Sequence, residues 1–315
     1  MKVPQWRSPT LATLTDRRFS DPDWIFERKL DGVRGLAFRN GDQVRLLSRN
    51  HLSLNGTYPE IVHALANQDA ARFVVDGEIV AFEGRRTSFG RLQGRLGITD
   101  PDDARASGVP VFYYVFDLLH LDGEDTTELP LTRRKQLLRK DFHFDDPLRY
   151  TTYRVREGEA AYRAACERGD EGVIAKRADS PYEGQRSTNW LKFKCSRDQE
   201  FVIVGYTTPK GSRIGLGALM LGYHDDGDLV YAGKVGTGFD TATLRGLHEK
   251  LSRTEQQTPP VTRGPARQPS VHWVRPTLVA QVAFSEWTRD GKLRHPRYIG
   301  LRTDKKPDDV VRETR

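Results

Sequence analysis

The pattern of apolar residues changes near residue 195, and this change most constrains how the chain can fold. Before it, apolar β-branched runs alternate with helix signals, as in Phe73–Phe82, Val111–Leu119, Thr132–Lys140 and Glu157–Arg168. Strands mixed with amphipathic helices predict an α+β domain built on antiparallel sheets. We place this first domain at residues 1–196.

The rest of the chain contains short apolar strands separated by glycine turns, with a single helix signal at Asp240–Leu251. Short strands with one helix in about a hundred residues are typical of an OB-fold β-barrel. We therefore predict an OB-fold domain over residues 197–315. The polar stretch Cys195–Glu200 between the two patterns is predicted to be a hinge that pivots near Asp198.

Composition narrows the class of protein. Of 315 residues, 37% are hydrophobic and 30% are charged, which excludes a disordered chain. Lys and Arg outnumber Asp and Glu by 50 to 43, giving a net charge of +7 that favours polyanionic partners such as nucleic acid.

Two cysteines, Cys166 and Cys195, are too few for a disulfide framework or a CxxC metal site. They predict unpaired thiols in a reducing compartment. No apolar run reaches the length of a membrane helix, and the first ten residues lack the apolar core of a secretory signal. A cytoplasmic location and no membrane partner are therefore expected.

The hexapeptide Lys29-Leu30-Asp31-Gly32-Val33-Arg34 follows the apolar segment Trp24–Phe26. A lysine at the end of a strand is a candidate nucleophile, because desolvation or neighbouring cations can free its amine for attack on a phosphate. The alternative is an ordinary strand-turn-strand in which Asp-Gly supplies only the turn.

Three isolated signals follow, each with a plain alternative. Arg49 at a strand end could bind a phosphate or be a solvated charge. Glu78 interrupts an apolar strand and needs a ribose hydroxyl, a metal or an arginine, unless it lies on a wet face. Phe116 could stack on a purine or pack in the core.

Two later strands carry more charge. The segment Asp170–Lys176 places Glu171, a possible oxygen ligand for a divalent metal, before a strand that ends at Lys176. Lys192 and Lys194 alternate with apolar residues, so they point the same way and would hold an anion between them, unless the face is solvated.

The order of these signals resembles that of the covalent nucleotidyltransferases, which include DNA ligases, RNA ligases and mRNA-capping guanylyltransferases. Arg302-Thr303-Asp304-Lys305 matches the family's Arg-x-Asp-Lys element. The segments Gly233–Phe239 and Arg294–Arg302 look like ATP-dependent DNA ligases, and the resemblance is closest to the ligase domain of the bacterial end-joining ligases (ligase D). A stand-alone form without polymerase or phosphoesterase domains is expected.

This resemblance implies an ATP-dependent DNA ligase that seals a 5′-phosphate to a 3′-hydroxyl through a lysyl-AMP and a DNA-adenylate. Lys29 would be the nucleophile, and Mg²⁺ or Mn²⁺ would be held by Glu171 and Glu78. Arg302 and Lys305 would serve only the first step, by orienting pyrophosphate after closure of the second domain. The residues expected to hold the nucleotide are Glu27 at the adenine amino edge, Arg34, Arg49, Glu78, Phe116 on adenine, Lys176, Lys192 and Lys194.

Nicked duplex DNA is the expected partner, with Ku or another end-joining protein as a candidate recruiter at the nucleoid, and nothing in the sequence calls for more than a monomer. DNA phosphates would be contacted by basic residues that could equally be solvated charges: Arg49, Arg85, Arg86, Arg91, Arg95, Lys210 and Arg213.

Two other functions stay open on sequence alone. A capping-type guanylyltransferase or an RNA ligase would share the nucleotide site but use another nucleotide or polynucleotide. A non-catalytic nucleic-acid-binding module would share the fold, since fold alone does not establish function.

Overall fold

The computed structural model describes residues 6–196, 198–209, 211, 213–265 and 270–313. The chain packs into two compact units that divide between Cys195 and Ser196. Each unit has a hydrophobic core of its own, formed from side chains of that unit alone.

The first unit contains thirteen strands and five helices. The strands are β1 (Leu11–Leu14), β2 (Trp24–Lys29), β3 (Val33–Asn40), β4 (Gln43–Ser48), β5 (Arg72–Val80), β6 (Phe82–Glu83), β7 (Arg86–Thr87), β8 (Phe112–Leu121), β9 (Glu124–Asp125), β10 (Leu148–Tyr150), β11 (Tyr153–Val155), β12 (Gly172–Arg177) and β13 (Arg186–Lys194). The helices are α1 (Pro59–Ala66), α2 (Phe89–Leu92), α3 (Pro101–Ala106), α4 (Leu131–Asp141) and α5 (Gly158–Glu167).

Two sheets organise this unit. The first has the strand order β1-β13-β12-β2-β11, and the second has the order β10-β8-β5-β3-β4 with β9 added to β8. Pairing is antiparallel except for β1 with β13 and β10 with β8. A separate hairpin joins β6 to β7.

The first sheet separates apolar from charged side chains by simple alternation along its strands. One face packs Phe26, Val173, Ala175 and Phe193 into a small core with Ala165 of α5. The opposite face therefore presents the alternate residues of β2, β12 and β13, which are Glu27, Lys29, Ile174, Lys176, Lys192 and Lys194.

The second sheet has an apolar face too, which packs Val33, Val75, Ile79 and Val115 with residues of α1 and α4 into the largest core of this unit. A smaller cluster that includes Phe116, Val74, Tyr182 and Trp190 joins the other face of the second sheet to the first sheet. The charged face of the first sheet consequently lies against the face of the second sheet that carries Phe116.

In the second unit, the described residues form eight strands and one long helix. They are β14 (Asp198–Thr207), β15 (Leu219–Asp225), β16 (Asp228–Val235), α6 (Thr241–Ser252), β17 (Glu255–Gln256), β18 (Val271–Ala283), β19 (Glu286–Trp287), β20 (Leu293–Arg294) and β21 (Arg297–Leu301), with a 3₁₀ turn at Pro307–Asp309. The sheet order is β16-β15-β14-β18-β17, with β21 also paired to β18. Its core is almost wholly apolar and takes Leu244, Leu247 and Leu251 from α6.

Two local features differ from the sequence analysis. Within the stretch Cys195–Glu200, expected to be a hinge, Asp198 already begins β14 and accepts hydrogen bonds from Ser196 and Gln281. A helix, α3, was missed although Asp100 caps its first turn and Pro101 follows.

The expectation of unpaired thiols was also wrong. Cys166 at the end of α5 and Cys195 just after β13 form a disulfide, with Cα atoms 5.2 Å apart. The two residues are 29 positions apart, and packing of α5 on the first sheet brings them together. Among the described residues, no helix is both long and apolar enough to cross a membrane.

Candidate active site

Lys29 ends β2 on the charged face of the first sheet. Its neighbour in register on β12 is Gly172, which in turn pairs with Lys194 on β13. The Lys29 ammonium contacts the carboxylate of Glu171, and the two side chains are 16% and 14% exposed. The lysine and the carboxylate are thus shielded from bulk water but can be reached by a ligand.

Gly172 makes this approach possible. Its φ of +146° disfavours a side chain, and a Cβ at this position would lie 2.0 Å from the Phe193 carbonyl oxygen. Only glycine lets β12 pass this close to β13 directly after Glu171. The glycine therefore sets the position of the carboxylate beside Lys29.

The turn after Lys29 is held by contacts beyond the turn itself. The backbone N–H of Asp31 donates to Thr87 Oγ1 at 3.2 Å, and Asp31 Oδ2 accepts from the backbone N–H of Phe89 at 3.1 Å. A Cβ on Gly32 would meet the Ile79 carbonyl oxygen at 2.2 Å. Asp31 therefore ties the end of β2 to Thr87 on β7 and to Phe89 on α2. These contacts go beyond those of an ordinary hairpin turn, the alternative considered for Asp-Gly.

Lys192 and Lys194 continue the charged face across β13. Lys192 pairs in register with Ile174, and Ile174 pairs with Glu27. Two parallel rows result, one running from Glu27 to Lys192 and the other from Lys29 to Lys194. Cations side by side on one strand face repel each other, so this arrangement is suited to an anion such as a phosphate.

Glu27 lies two residues before Lys29 on the same face and is only 3% exposed. Its carboxylate contacts the ammonium of Lys135 at 2.5 Å and that of Lys176 at 2.6 Å. Burial lowers the pKa of Lys176 to about 8, although the Glu27 carboxylate opposes this shift. The Lys176 ammonium also lies 4.0 Å from the centre of the Phe116 ring and 3.9 Å from that of Trp190.

Arg34 on β3 is held by the second sheet. Its Nε and Nη2 atoms each donate to a different oxygen of Asp76 at 2.6 Å, and Tyr182 donates to the same carboxylate at 2.6 Å. Burial acts to lower the pKa of Arg34, but Asp76 outweighs it and holds that pKa above its ordinary value. The Arg34 guanidinium also covers the Phe116 ring at 4.6 Å.

Glu78 and Phe116 lie close to this arginine. Glu78 on β5 is the register partner of Arg34 and of Tyr114 on β8. Phe116 is 7% exposed, with its ring near both Arg34 and Lys176. The structure thus gathers the predicted nucleotide-binding residues Glu27, Arg34, Glu78, Phe116, Lys176, Lys192 and Lys194 on the two facing sheets.

The residues present fit a divalent metal that is shared with a phosphate ligand. No group of three or more His, Cys, Asp or Glu side chains comes together as a metal site within the described ranges. Mg²⁺ is usually bound through one or two carboxylates together with substrate phosphates and water. Glu171, with its carboxylate beside a lysine rather than in an acidic cluster, suits that mode of binding.

Comparison with known proteins identifies the family. A sequence profile described as the ATP dependent DNA ligase domain matches residues 9–194, and one described as the ATP dependent DNA ligase C terminal region matches residues 212–305. The chain belongs to the ATP-dependent DNA ligase family. The predicted fold class, a nucleotidyltransferase domain with antiparallel sheets followed by an OB-fold domain, is confirmed.

Individual relatives are similar to this chain over nearly its whole length. The multifunctional non-homologous end joining protein LigD of Pseudomonas aeruginosa is 38% identical over 99% of this chain and 37% of that protein. The corresponding protein of Mycobacterium tuberculosis is 38% identical over 97% of this chain and 40% of that protein. The chain therefore spans well under half the length of these relatives.

One solved structure is similar throughout. A mycobacterial DNA ligase D complexed with ATP and MES matches with a TM-score of 0.67 and 34% sequence identity, over 98% of each chain. The predicted resemblance to the ligase domain of end-joining ligases is confirmed.

The residues predicted to contact DNA fall into three groups. Arg49 lies in the turn directly after β4, and Arg85, Arg86 and Arg91 are exposed on the β6–β7 hairpin and α2. Arg213 is partly buried and donates to the carbonyl oxygens of Leu216 and Gly236, both at 2.9 Å. Lys210 lies outside the described residues.

The prediction that Arg95 contacts DNA was wrong. Arg95 is 2% exposed, and its guanidinium donates to the carbonyl oxygens of Thr57 and Val109 and to Glu60. A buried guanidinium with its donors engaged cannot reach a phosphate backbone. Arg95 instead ties the segment after α2 to α1.

Arg302 and Lys305 follow β21 in the second unit. Arg302 forms a bidentate pair with Asp304 at 2.9 and 2.8 Å, and Lys305 lies 3.3 Å from Glu200. Burial acts to raise the pKa of Asp304, but Arg302 outweighs it and holds that pKa below its ordinary value. The chain has these two cations on one short segment, where neighbouring carboxylates orient them.

Sequence reasoning missed several residues that hold this site. Asp76 accepts hydrogen bonds from Arg34, and Lys135 forms an ion pair with Glu27. Asp117 is fully buried in a bidentate pair with Arg134 at 2.7 and 2.9 Å. Asp76 and Asp117 did leave a signal, because each interrupts an apolar strand. Lys135 left none, since it lies in a helix as rich in charge as a solvated one.

Proposed function

We propose that this chain seals nicks in duplex DNA by ATP-dependent adenylyl transfer through Lys29. The observation that carries the proposal is the partly shielded Lys29 amine beside Glu171, on a sheet face that also bears Lys192 and Lys194. A lysine nucleophile, a carboxylate and two phosphate-binding cations on one face are the groups that phosphoryl transfer requires.

In the first step the Lys29 nitrogen bonds to the α-phosphorus of ATP, the bond to pyrophosphate breaks, and a proton leaves the amine. The nucleophile is the neutral amine, and it is engaged by the Glu171 carboxylate before ATP binds. That contact therefore has to loosen before attack. A divalent cation, Mg²⁺ or Mn²⁺, held by Glu171 and supported by Glu78 would neutralise phosphate charge at this position.

The remaining residues bind and orient the nucleotide. Lys192 and Lys194 hold the α-phosphate, Glu27 accepts from the adenine amino group, and Phe116 provides a ring for the base. Arg34, fixed by Asp76, faces the ribose or the nick phosphate. Arg302 and Lys305 orient the leaving pyrophosphate, and they have no role once AMP is on the enzyme.

In the second step the AMP moves from Lys29 to the 5′-phosphate of the nick, and in the third the adjacent 3′-hydroxyl displaces AMP. Exposed Arg85, Arg86 and Arg91, together with Arg49, are the proposed phosphate contacts, so nick binding should weaken steeply with salt.

The biological role we propose is repair, in particular end joining, because the similar proteins are named for non-homologous end joining. Those proteins are much longer than this chain, so their partners cannot be transferred to it directly. We include recruitment by Ku, and action as a monomer at the nucleoid, as parts of the proposal. A capping or RNA-ligase role is less well supported, since both family profiles that match are those of DNA ligases.

The test is self-labelling. Pure protein, shown to be free of bound AMP, is incubated with Mg²⁺ and α-labelled ATP or GTP, and the label that survives denaturation is measured. We expect labelling from ATP in the native chain and in Lys140→Ala, an exposed matched control, and none in Lys29→Ala. Labelling from GTP alone would point to a capping-type enzyme, and no labelling with either nucleotide would point to a binding module.

A further inference from the structure

Three charged side chains are buried together at the Glu27 end of the charged sheet face. Glu27, Lys135 and Lys176 are 3%, 1% and 2% exposed and come from β2, α4 and β12. Burying a charge is costly unless it is paired, and here one carboxylate serves two ammonium groups. The cost of burying these charges suggests that the cluster serves a function.

Lys135 holds Glu27 from the side of α4. Its ammonium contacts Glu27 Oε1 at 2.5 Å and donates to the carbonyl oxygens of Phe116 at 3.2 Å and Thr151 at 3.1 Å. All three N–H groups of this lysine are thereby used within the protein. Lys135 is consequently fixed and has no donor left for a ligand.

Lys176 holds the other oxygen of Glu27 in a different manner. Its Nζ atom lies 2.6 Å from Glu27 Oε2, between the rings of Phe116 and Trp190, yet it has no hydrogen-bond partner of good geometry. The charge of Glu27 nevertheless stabilises the Lys176 ammonium. The burial that lowers the pKa of this lysine also shows how strongly the surroundings oppose an isolated charge.

Among the described residues, Glu27 is the acid paired with both lysines. Asp117 is another acid near Lys176, but both of its oxygens are taken by Arg134. Lys135 also lies near the rings of Tyr150 at 4.9 Å and Tyr153 at 5.3 Å. The two lysines and Glu27 thus form one buried charged cluster.

We infer that Lys135 and Lys176 are positioning residues that hold the Glu27 carboxylate in place, and that this fixed carboxylate selects ATP over GTP. The inference rests on the proposed function. A carboxylate accepts a hydrogen bond from the amino group of adenine and repels the carbonyl oxygen that guanine presents at the same edge. Without one of its two partners, the buried carboxylate loses a contact that fixes it at this edge, and the discrimination between the two bases weakens.

The test compares nucleotide choice in lysine-to-methionine variants. Methionine has a similar length and no charge, so Lys176→Met keeps the space between Phe116 and Trp190 filled. The ratio of initial Lys29-labelling rates with α-labelled ATP and GTP is measured for the native chain, Lys176→Met, Lys135→Met and Lys140→Met. Because each ratio is taken on one sample, the fraction of folded protein cancels.

We expect the ATP-to-GTP ratio to fall about tenfold in Lys176→Met and in Lys135→Met, the loss typical of one buried polar interaction. Lys140→Met, on the exposed part of the same helix, should keep the native ratio. Lys135→Arg retains the charge and should retain most of the selectivity. A merely structural role would lower both rates together and leave the ratio unchanged.

An unchanged ratio in both methionine variants overturns the inference, and so does a higher ratio, which would mean that Lys176 itself donates to the base. If Lys135→Met fails to fold, Lys176→Met decides alone, because the inference requires both lysine contacts to fix the Glu27 carboxylate. If the native chain is not labelled by either nucleotide, the proposed function itself is refuted. If the native chain is labelled but the ratio does not change in the methionine variants, only the inference about Lys135 and Lys176 is refuted.

Discussion

The two units of this chain bury different kinds of side chain. In the second unit the core is almost wholly apolar, and among the described residues its buried charged groups are confined to Asp198, Arg302 and Asp304. In the first unit, charged pairs lie inside the domain, including Arg34 with Asp76, Arg134 with Asp117, and Glu27 with two lysines. Burying charge adds little net stability. Its concentration is in the unit that we propose binds the nucleotide.

This difference suggests a division of labour in which the first unit supplies the groups for every chemical step and the second supplies cations for one. Changing Arg302 to Ala or Lys305 to Ala should therefore slow self-adenylation by roughly 10²–10³-fold, the loss expected when one charge-stabilising group is removed. Both variants should still seal a nick that already carries AMP on its 5′-phosphate. The two rates are measured separately, with labelled ATP and with preadenylated DNA.

Lys29→Ala serves as the control, since it should fail in labelling yet seal the preadenylated nick. Equal losses in both steps for Arg302→Ala would show that the second unit takes part throughout, and the division between the units would not hold.

Much of the charged face was predictable from the sequence, because alternation along a strand fixes which residues share a face. Lys192 and Lys194, and likewise Glu27 and Lys29, follow from that rule. What the sequence could not show is partnership across distant segments. Lys135 and Glu27 are 108 positions apart, and only the packing of α4 on the sheets brings them together. Arg95 was misassigned for the same reason, since a basic residue in a polar segment shows no sign of burial until its carbonyl partners are known.

The buried pair of Arg134 and Asp117 tests the contrast in stability. Both side chains are fully buried, so Asp117→Asn leaves the guanidinium without a counter-charge and should lower the free energy of unfolding by about 3–5 kcal/mol. The measurement is urea-induced unfolding of the first unit. Glu249→Gln, which removes the exposed pair with Arg253 in the second unit, should change stability by less than about 0.5 kcal/mol.

A loss below about 1 kcal/mol in Asp117→Asn would mean that the interior of the first unit admits water around Arg134. The first unit would then contain more charged pairs than the second, but these pairs would not be better shielded from water.

The smallest effect concerns the covalent link, which exists in the first unit alone because both cysteines lie there. Closing a loop of this length in the unfolded chain is worth at most ~3–4 kcal/mol, so reduction should lower the unfolding temperature of the first unit and leave that of the second unchanged. Calorimetry with and without a dithiol reductant measures both transitions. In the Cys166→Ser/Cys195→Ser variant the reductant should have no effect. If the native protein, kept under oxidising conditions, instead shows two titratable thiols, the disulfide does not form. Apolar contacts alone then hold α5 on the first sheet, and both units depend on non-covalent packing.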